Sequence, residues 1–339
     1  MSKNAQDLSN DSAVQGTTEE ASVSKLSSAQ LGYFEDSHLA YFVKQGTYRR
    51  SPLVNRGYYT RVSGIRKCVT SFFQFCEDAG YSTAQLVNLG AGLDSMAFWL
   101  ATGTGVPKIV KKSVLFEVDH AEVVTKKSAL INKHKELSKV FADTNEPPMM
   151  RADQYRLIAA DLRDVQSLDS KLKDAGMQRD IPTLFLAECV LIYMQPEFSN
   201  KILSWIAKDA VSEAFTAMVV YEQTMPDDPF GRVMVENLKM RGCGLLGIHE
   251  FPTLDSERSR FIEINGFDKV SIADMNQIFD SHIDKDEVRR VCKLEMFDEF
   301  EEWRLMQAHY FIAVASKFRK HSDSQNFNAL SDIWSDRKM

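Results

Sequence analysis

The sequence VNLGAGLD, residues 87–94, joins an apolar run to a glycine turn. The run predicts a strand from Gln85 to Leu89, and residues 96–100 predict a helix after the turn. Small residues in such a turn let the backbone approach a ligand, and the start of the helix offers free N–H groups. Ser95 stands where a dinucleotide-binding fingerprint would carry its third glycine. The turn therefore fits a ligand site, but it also fits an ordinary tight turn.

Apolar strands and amphipathic helices alternate along the rest of the chain. Strands are predicted at residues 113–119, 155–160, 183–187, 215–221, 269–272 and 310–315. Helices are predicted at residues 121–134, 165–175, 196–208, 233–240, 254–264 and 297–307. A polar segment with Pro147 and Pro148 predicts a loop. This alternation predicts an α/β fold with a doubly wound, mostly parallel sheet, in which ligands bind beyond the carboxyl ends of the strands.

The 339 residues are expected to form one domain with additions. The predicted parts are a largely disordered arm (1–28), the domain itself (29–320), a helical extension within it (29–80), a lid insertion (223–252) and a C-terminal tail (321–339). The arm is predicted to be disordered because it is rich in small polar and acidic residues and poor in large apolar ones. Within the extension, apolar spacing predicts helices at residues 31–43 and 58–75.

Composition and motifs argue against several classes of protein. Hydrophobic residues make up 44% of the chain and charged residues 26%, as in ordinary globular proteins. No apolar run is long enough for a signal peptide or a membrane span, so we expect a cytoplasmic protein, compatible with a nuclear pool. The net charge of -6 argues against nucleic acid as a partner. Five cysteines without a CxxC pair and seven histidines without an HExxH motif give no support for a metal site.

Acidic residues follow two of the predicted strands, where a ligand of such a sheet would lie. Asp119 ends the strand at residues 113–119, and its carboxylate can accept hydrogen bonds from a ribose diol. Asp161 follows the next strand and can bind an adenine amine, with Leu162 in apolar contact. The alternative is that Asp119, Asp161 and Asp164 cap the helices that follow.

Glu188 comes directly after the very apolar strand predicted at residues 183–187. Burying a carboxylate is costly unless it meets a cation or hydrogen-bond donors. The sulfonium or amino group of a ligand would be such a partner. The alternative is an internal ion pair with an arginine.

In this order, the glycine turn and the acids match a nucleoside-binding class I methyltransferase better than a dehydrogenase. The chain resembles the leucine carboxyl methyltransferases, which use S-adenosylmethionine to esterify the C-terminal leucine of phosphatase 2A-type catalytic subunits. The segments that carry the resemblance are NRGYYTRV (55–62), VNLGAGLDS (87–95), FEVDH (116–120), AADLRD (159–164) and LAECVLIYM (186–194). The first and the last are the most specific, because generic methyltransferases of this fold lack them. The resemblance implies a class I Rossmann-like methyltransferase fold, S-adenosylmethionine as cofactor and a phosphatase tail as partner.

The resemblance also implies roles for individual residues. Arg61 would bind the carboxylate of the cofactor, with Lys25 of the arm assisting. The other implied contacts are Gly90 at the methionine portion, Asp119 at the ribose, Asp161 and Leu162 at the adenine, and Glu188 near the amino end. A role for Lys25 would require part of the arm to be ordered.

The implied reaction transfers a methyl group in line from a sulfonium to a carboxylate. A chain-terminal carboxylate titrates at about 3.3 to 3.7, so it is ionised at neutral pH and no residue is predicted to act as a general base. Tyr193, Tyr221 and Arg163, with the segment after Gln223, are predicted to shape the acceptor pocket because they lie beyond strand ends.

Two alternatives to this function stay open. One is a carboxyl methyltransferase of the same family with another acceptor, such as the tRNA wybutosine-modifying relatives, whose long repeat domain we expect this chain to lack. The other is a protein that binds phosphatase tails without turnover.

Overall fold

A computed structural model describes residues 5–44, 46, 48–141, 152–319, 330 and 332–335. The strands are β1 (Gln85–Leu89), β2 (Val114–Asp119), β3 (Tyr155–Ala159), β4 (Thr183–Glu188), β5 (Thr216–Gln223), β6 (Lys269–Asp274) and β7 (Tyr310–Lys317). The α-helices are α1 (Ala5–Gln30), α2 (Pro52–Asp78), α3 (Met96–Thr102), α4 (Ala121–Lys133), α5 (Lys135–Ser138), α6 (Val165–Asp174), α7 (Pro196–Trp205), α8 (Pro229–Met240), α9 (Leu254–Ser259), α10 (Met275–Gln277), α11 (Lys285–Val291) and α12 (Phe300–Ala308). The loop predicted around Pro147 and Pro148 lies outside the described residues.

The strands form one sheet in the order β3-β2-β1-β4-β5-β7-β6. The first five strands of the chain run parallel, and β7 lies antiparallel between β5 and β6. The chain moves outward from β1 to β3 and then returns to β4 on the other side of β1, so the strand order reverses between β1 and β4. This arrangement confirms the predicted doubly wound, mostly parallel α/β sheet, and it places the expected ligand crevice at that reversal.

Apolar residues cover both faces of the sheet. One hydrophobic cluster contains Phe72 and Phe215, and a second, on the opposite face, contains Phe116 and Phe185. Every residue of β1 and β5 is buried, which explains why these strands read as continuous apolar runs rather than alternating ones.

Most of the predicted helices are confirmed with shifted bounds. The helix α2 contains the predicted residues 58–75 and extends beyond them at both ends. The helices predicted at residues 196–208 and 254–264 are present, but each ends in a π-helical turn, at Ile206–Ala210 and Arg260–Ile264. Each predicted strand has an observed counterpart.

The prediction that residues 1–28 are largely disordered is wrong for the described part of this arm, which forms most of α1. Ser27 and Ser28 are buried, and their hydroxyl groups donate to Oδ1 of Asn55 in α2 at 2.8 and 3.3 Å. These small polar side chains are satisfied inside the contact between the two helices. A segment with few large apolar residues is therefore ordered by close helix packing, in which Leu26 is also buried.

The helix predicted at residues 31–43 is also wrong. Gly32 follows α1 with φ +83°, a left-handed conformation that glycine adopts readily and that commonly ends a helix. The chain is then irregular up to a short 3₁₀ turn at Leu39–Tyr41. The carboxylate of Asp36 accepts the N–H of Leu39 at 3.0 Å, which stabilises this turn rather than a continuous helix.

The described part of the C-terminal tail belongs to the core. Leu330, Ile333 and Trp334 are buried in the cluster that contains Phe72. The backbone N–H of Trp334 donates to the hydroxyl of Ser271 in β6 at 3.1 Å. The tail therefore supports the edge of the sheet.

Two further findings concern the described residues only. None of their helices is both long enough and apolar enough to cross a membrane. Their His, Cys, Asp and Glu side chains form no group of three or more that could hold a metal ion.

Candidate active site

A large cavity lies at the carboxyl ends of β1 to β5 and has a volume of about 1290 Å³. The residues predicted for the cofactor and acceptor sites all line it: Lys25, Arg61, Gly90, Asp119, Asp161, Leu162, Arg163, Glu188, Tyr193 and Tyr221. This is the position at which doubly wound sheets bind their ligands. The fold thus brings the predicted residues together, while their individual roles towards a ligand stay predictions.

The glycine turn after β1 is packed between two other walls of the cavity. Gly90 has φ +64° and Gly92 has φ +54°, which glycine adopts without steric cost. A Cβ atom at Gly90 would lie 2.5 Å from Cγ2 of Val190 in the turn after β4. A Cβ atom at Gly92 would lie 2.7 Å from Cγ2 of Thr18 in α1. Both glycines are therefore required by backbone conformation and by close packing.

Asp119, at the end of β2, holds the glycine turn in place. Its Oδ2 accepts the N–H of Gly92 at 2.7 Å, and its Oδ1 accepts the N–H of His120 at 2.7 Å. The N-cap of α4 is His120, so Asp119 is not the helix cap that was its alternative role. A carboxylate has about four lone-pair sites, so these two bonds leave capacity for a ribose hydroxyl.

The two acids after β3 have different partners. Asp164 is the N-cap of α6, and its carboxylate accepts the N–H of Ser167 at 3.0 Å. Asp161 instead pairs with the guanidinium of Arg163, whose Nε and Nη2 lie 2.9 Å from its two oxygens. The capping alternative therefore holds for Asp164 only. The pairing places the guanidinium of Arg163 beside Asp161 in the cavity wall, and its role in the acceptor pocket stays a prediction.

Arg61 of α2 and Glu188 of β4 form an ion pair, with Nε and Oε2 2.8 Å apart. The internal pair that was the alternative for Glu188 is thus present, and its partner is the arginine predicted to bind the cofactor. Burial alone would lower the pKa of Arg61, but Glu188 raises it well above its ordinary value. Because this bond uses Nε, the guanidinium can bind a second carboxylate through its Nη atoms.

Tyrosine rings surround the guanidinium of Arg61. Its Cζ lies 4.6 Å from the ring centre of Tyr221 and 5.6 Å from that of Tyr58. Tyr221 in turn stacks on Tyr310, with ring centres 5.4 Å apart and planes 15° apart. Burial raises the pKa of Tyr58, Tyr221 and Tyr193 above the ordinary value. These phenols are therefore neutral at physiological pH and can donate hydrogen bonds to an anion.

Lys25 reaches the cavity from α1 and forms an ion pair with Asp94 after the glycine turn. Burial alone would lower the pKa of Lys25, but the carboxylates of Asp94 and Glu188 raise it above the ordinary value. Burial raises the pKa of Asp94, but the ammonium groups of Lys25 and Lys127 outweigh it and bring that pKa to about 2. Lys127 also donates to the backbone oxygen of Asp94 at 2.7 Å. The pair is therefore fully charged at neutral pH.

The predicted lid insertion and α1 meet at the cavity. Leu238, Arg241 and Leu246 of residues 223–252 line it. The guanidinium of Arg241 forms an ion pair with Glu20 of α1. The insertion and α1 thus form neighbouring parts of the cavity wall, and the role of the insertion as a lid stays a prediction.

Sequence reasoning missed several residues of the cavity wall. They include Asp94, Tyr58, Tyr310, Arg50 and Met306. A signal existed for Tyr58, because residues three apart in a helix share one face and Tyr58 precedes Arg61 by three. Tyr310 carried no such signal, since it reaches the cavity only because β7 inserts antiparallel beside β5.

The sheet is doubly wound, with a glycine turn after β1, acids at the ends of β2 and β4 and an acid after β3, and all of these groups line one cavity. This combination is characteristic of the class I methyltransferases. The family profile described as leucine carboxyl methyltransferase matches residues 2–207. The chain belongs to the leucine carboxyl methyltransferase family. This membership confirms the predicted family, the S-adenosylmethionine-dependent enzyme class and the cofactor.

Individual relatives resemble the chain over most of its length. It is 39% identical to the leucine carboxyl methyltransferase 1 homolog of Arabidopsis thaliana, over 92% of this chain and 91% of that protein. It is 35% identical to leucine carboxyl methyltransferase 1 of Bos taurus, over 91% of this chain and 90% of that protein. It is also 36% identical to the human tRNA wybutosine-synthesizing protein 4, over 90% of this chain but only 44% of that protein.

Proposed function

We propose that this enzyme methylates the C-terminal leucine carboxylate of a phosphatase 2A-type catalytic subunit and thereby regulates phosphatase assembly. The observation that carries the proposal is the position of Arg61 inside the cavity, paired with Glu188 and surrounded by tyrosines. This arrangement provides cationic charge and phenol donors for anionic groups at the buried end of the cavity. The family membership and the resemblance of the NRGYYTRV and LAECVLIYM segments support leucine as the acceptor.

The cofactor end of the cavity fits S-adenosylmethionine. A guanidinium and a carboxylate side by side, as in Arg61 and Glu188, complement the carboxylate and ammonium of an α-amino acid. Asp119 can accept the ribose hydroxyls, and Asp161 with Leu162 can hold the adenine. When bound, the cofactor supplies an electrophilic methyl group on its sulfonium.

At the acceptor end, the residues of the chain position an anion and exclude water. Tyr193 and Tyr221 keep neutral phenols because burial raises the pKa of both. They can donate hydrogen bonds to a terminal carboxylate that is already ionised at neutral pH. Positioning of the carboxylate in line with the methyl group then accounts for catalysis without a proton acceptor.

The test is incubation of the purified enzyme with tritium-labelled S-adenosylmethionine and a phosphatase 2A catalytic subunit. The matched acceptor lacks only the terminal leucine, and alkali-labile methyl groups are counted on both. Label on the intact subunit alone is the expected result. No label on the intact subunit, although the enzyme binds the cofactor, would refute the proposal.

A second experiment with tRNA as the acceptor distinguishes the proposal from its alternative. It is needed because the human wybutosine-synthesizing protein is 36% identical to this chain, close to the identity of the leucine carboxyl methyltransferases. The same reaction is run with tRNA that carries the wybutosine precursor in place of the protein acceptor. We expect no label on this RNA. Label on the RNA and none on the phosphatase would assign the enzyme to that other acceptor.

Variants of the tyrosine wall test the acceptor pocket. Tyr221→Phe removes the hydroxyl of a ring that packs against Arg61, and Tyr41→Phe is the control because the Tyr41 ring contacts His134 at a tilt outside the cavity lining. We expect Tyr221→Phe to raise the KM for the phosphatase about tenfold, as one hydrogen bond to a charged group is worth about 1.5–3 kcal/mol. An unchanged KM would show that Tyr221 is not part of the acceptor pocket.

We also propose that the protein is cytoplasmic with a nuclear pool. Fluorescence imaging of the tagged protein in cells tests this location.

A further inference from the structure

Glu222 is a completely buried carboxyl group that lies outside the cavity. Its neighbours on β5, Tyr221 and Gln223, both line the cavity. Side chains alternate along a strand, so Glu222 points to the opposite face of the sheet. The packing agrees, because Tyr221 belongs to one hydrophobic cluster and Val220 to the other. A buried carboxyl group on that face needs a partner to offset its desolvation.

The partner is the backbone of the turn that follows β4. Oε1 of Glu222 accepts the N–H of Ile192 at 2.8 Å. Ile192 belongs to the 3₁₀ turn Leu191–Tyr193, whose first N–H groups have no acceptor within the turn itself. Oε1 of Glu222 satisfies one of those groups.

This turn carries one wall of the active site. The segment leading into it starts at Glu188, the last residue of β4, which pairs with Arg61, and the turn ends with Tyr193, which lines the cavity. Between them, Cys189 has φ +56°, an uncommon conformation for a residue other than glycine. Val190 packs against Gly90, where a Cβ atom would come within 2.5 Å of it. The turn therefore has a strained backbone, and its position sets the shape of the cavity.

The backbone of Ile192 also connects this turn to the insertion at residues 223–252. Its N–H is held by Glu222, and its carbonyl oxygen accepts the N–H of Gly247 at 3.0 Å. Leu245 and Ile248 pack on the Ile192 side chain in a small cluster of their own. A displacement of this peptide would thus move both the Glu188 wall and the anchor of the insertion.

We propose that Glu222 is a positioning residue, whose carboxyl oxygen holds the Ile192 N–H and thereby orients the strained turn from Glu188 to Tyr193 that forms a wall of the cofactor cavity. It touches neither cofactor nor acceptor and acts through the backbone. The inference concerns cofactor binding and is independent of which acceptor is methylated.

The test compares variants of the full-length protein by calorimetric titration with S-adenosylmethionine. Glu222→Gln keeps an oxygen acceptor in place, and Glu222→Leu removes it at similar volume. We expect Glu222→Gln to bind the cofactor within about twofold of the wild type and Glu222→Leu to bind about tenfold more weakly. This rescue by the amide separates positioning by a hydrogen bond from a need for charge. Cofactor affinity in Glu222→Leu equal to that of the wild type, or a loss in Glu222→Gln as large as in Glu222→Leu, would overturn the proposal.

A control on the same strand guards against a general effect of perturbing the core. Thr216 is also fully buried on β5, but it lies at the end of the strand far from the cavity. Thr216→Val should leave cofactor affinity unchanged, and a tenfold loss there would overturn the specific role of Glu222. If circular dichroism shows that Glu222→Leu does not fold, Glu222→Asp replaces it. That variant withdraws the oxygen by one methylene, and we expect the same tenfold loss; wild-type affinity would overturn the proposal.

Discussion

The ammonium group of Lys25 in α1 forms an ion pair with the carboxylate of Asp94, 69 residues further along the chain. Asp94 lies two residues beyond Gly92 of the glycine turn, and Thr18 of α1 packs against Gly92. Three more ion pairs involve α1: Glu19 with Lys126, Glu19 with Lys44 and Glu20 with Arg241. Because residues of α1 line the cavity, the helix forms a wall of the cofactor site that is held by the Lys25–Asp94 pair together with its packing on α2.

We predict that Lys25→Met weakens cofactor binding and loosens α1. Breaking a buried pair costs about 3–5 kcal/mol, and Asp94 then keeps the ammonium of Lys127 nearby but loses that of Lys25. The loss should appear as faster amide hydrogen exchange in α1 and as a weaker calorimetric affinity for S-adenosylmethionine. Lys44→Met is the control, because the Lys44 side chain is 81% exposed and its ammonium lies 3.9 Å from Glu19.

The partner substitution shows whether Lys25 acts through Asp94. In a double-mutant cycle with Asp94→Asn, we expect the two effects on hydrogen exchange to be strongly non-additive, as for residues in direct contact. Additive effects would mean that the pair does not hold α1.

A second prediction concerns Arg61. Arg61→Lys keeps the positive charge but loses the planar fork that can bind Glu188 and a ligand carboxylate together. We expect the dissociation constant of S-adenosylmethionine to rise at least tenfold, since a hydrogen bond to a charged group is worth about 1.5–3 kcal/mol. Calorimetry measures the constant, with Arg49→Lys as the control because the Arg49 side chain is 75% exposed. Equal affinities for Arg61→Lys and the wild type would exclude a bidentate role.

A third prediction follows from Glu222. Burial raises its pKa from 4.5 to about 7, an effect reduced by Arg260 and by the N–H groups of Ile192 and Leu191. Between pH 4.5 and about 7 the folded state therefore holds a proton that the unfolded state has released. Under this linkage the free energy of unfolding falls as pH rises through that interval, by about 3 kcal/mol, and this contribution is constant above it.

Glu222→Gln should remove that contribution to the pH dependence. The measurement is urea unfolding of both proteins at several pH values from 4.5 to 8, with Glu122→Gln on the exposed surface of α4 as the control. Only Glu222→Gln should have a flatter profile than the wild type. Parallel profiles for wild type and Glu222→Gln would show that Glu222 does not titrate in this range.

The sequence predicts the sheet and the site better than it predicts the walls around them. Asp119, Asp161 and Glu188 can be located because each follows an apolar strand, and parallel strands bring their carboxyl ends to one edge. Lys25 was implied only by the family resemblance, because the small polar and acidic residues of α1 give it the composition of a disordered segment. Ser27 and Ser28 belong to this composition although they are buried in the structure. Contacts such as that between Glu222 and Ile192 depend on tertiary packing, and no local sequence pattern predicts them.

The last prediction tests the packing of the glycine turn. Gly90→Ala should destabilise the protein and weaken cofactor binding for two reasons. Its φ of +64° costs an alanine about 1–2 kcal/mol, and its Cβ would lie 2.5 Å from Cγ2 of Val190. Val190→Ala removes the close contact with Cγ2 but not the conformational cost at position 90. We therefore expect the double variant to recover part of the stability lost in Gly90→Ala, as measured by chemical unfolding.

Gly105→Ala is the matched control for the conformational part of this loss. Gly105 has φ +76°, and a Cβ atom there would meet no atom of the described residues within 4 Å beyond its chain neighbours. We expect the free energy of unfolding of this variant to fall only by the cost of placing alanine at a positive φ, because its Cβ atom meets no close contact. No recovery in the double variant of Gly90 and Val190 would mean that the contact with Val190 does not limit the residue at position 90.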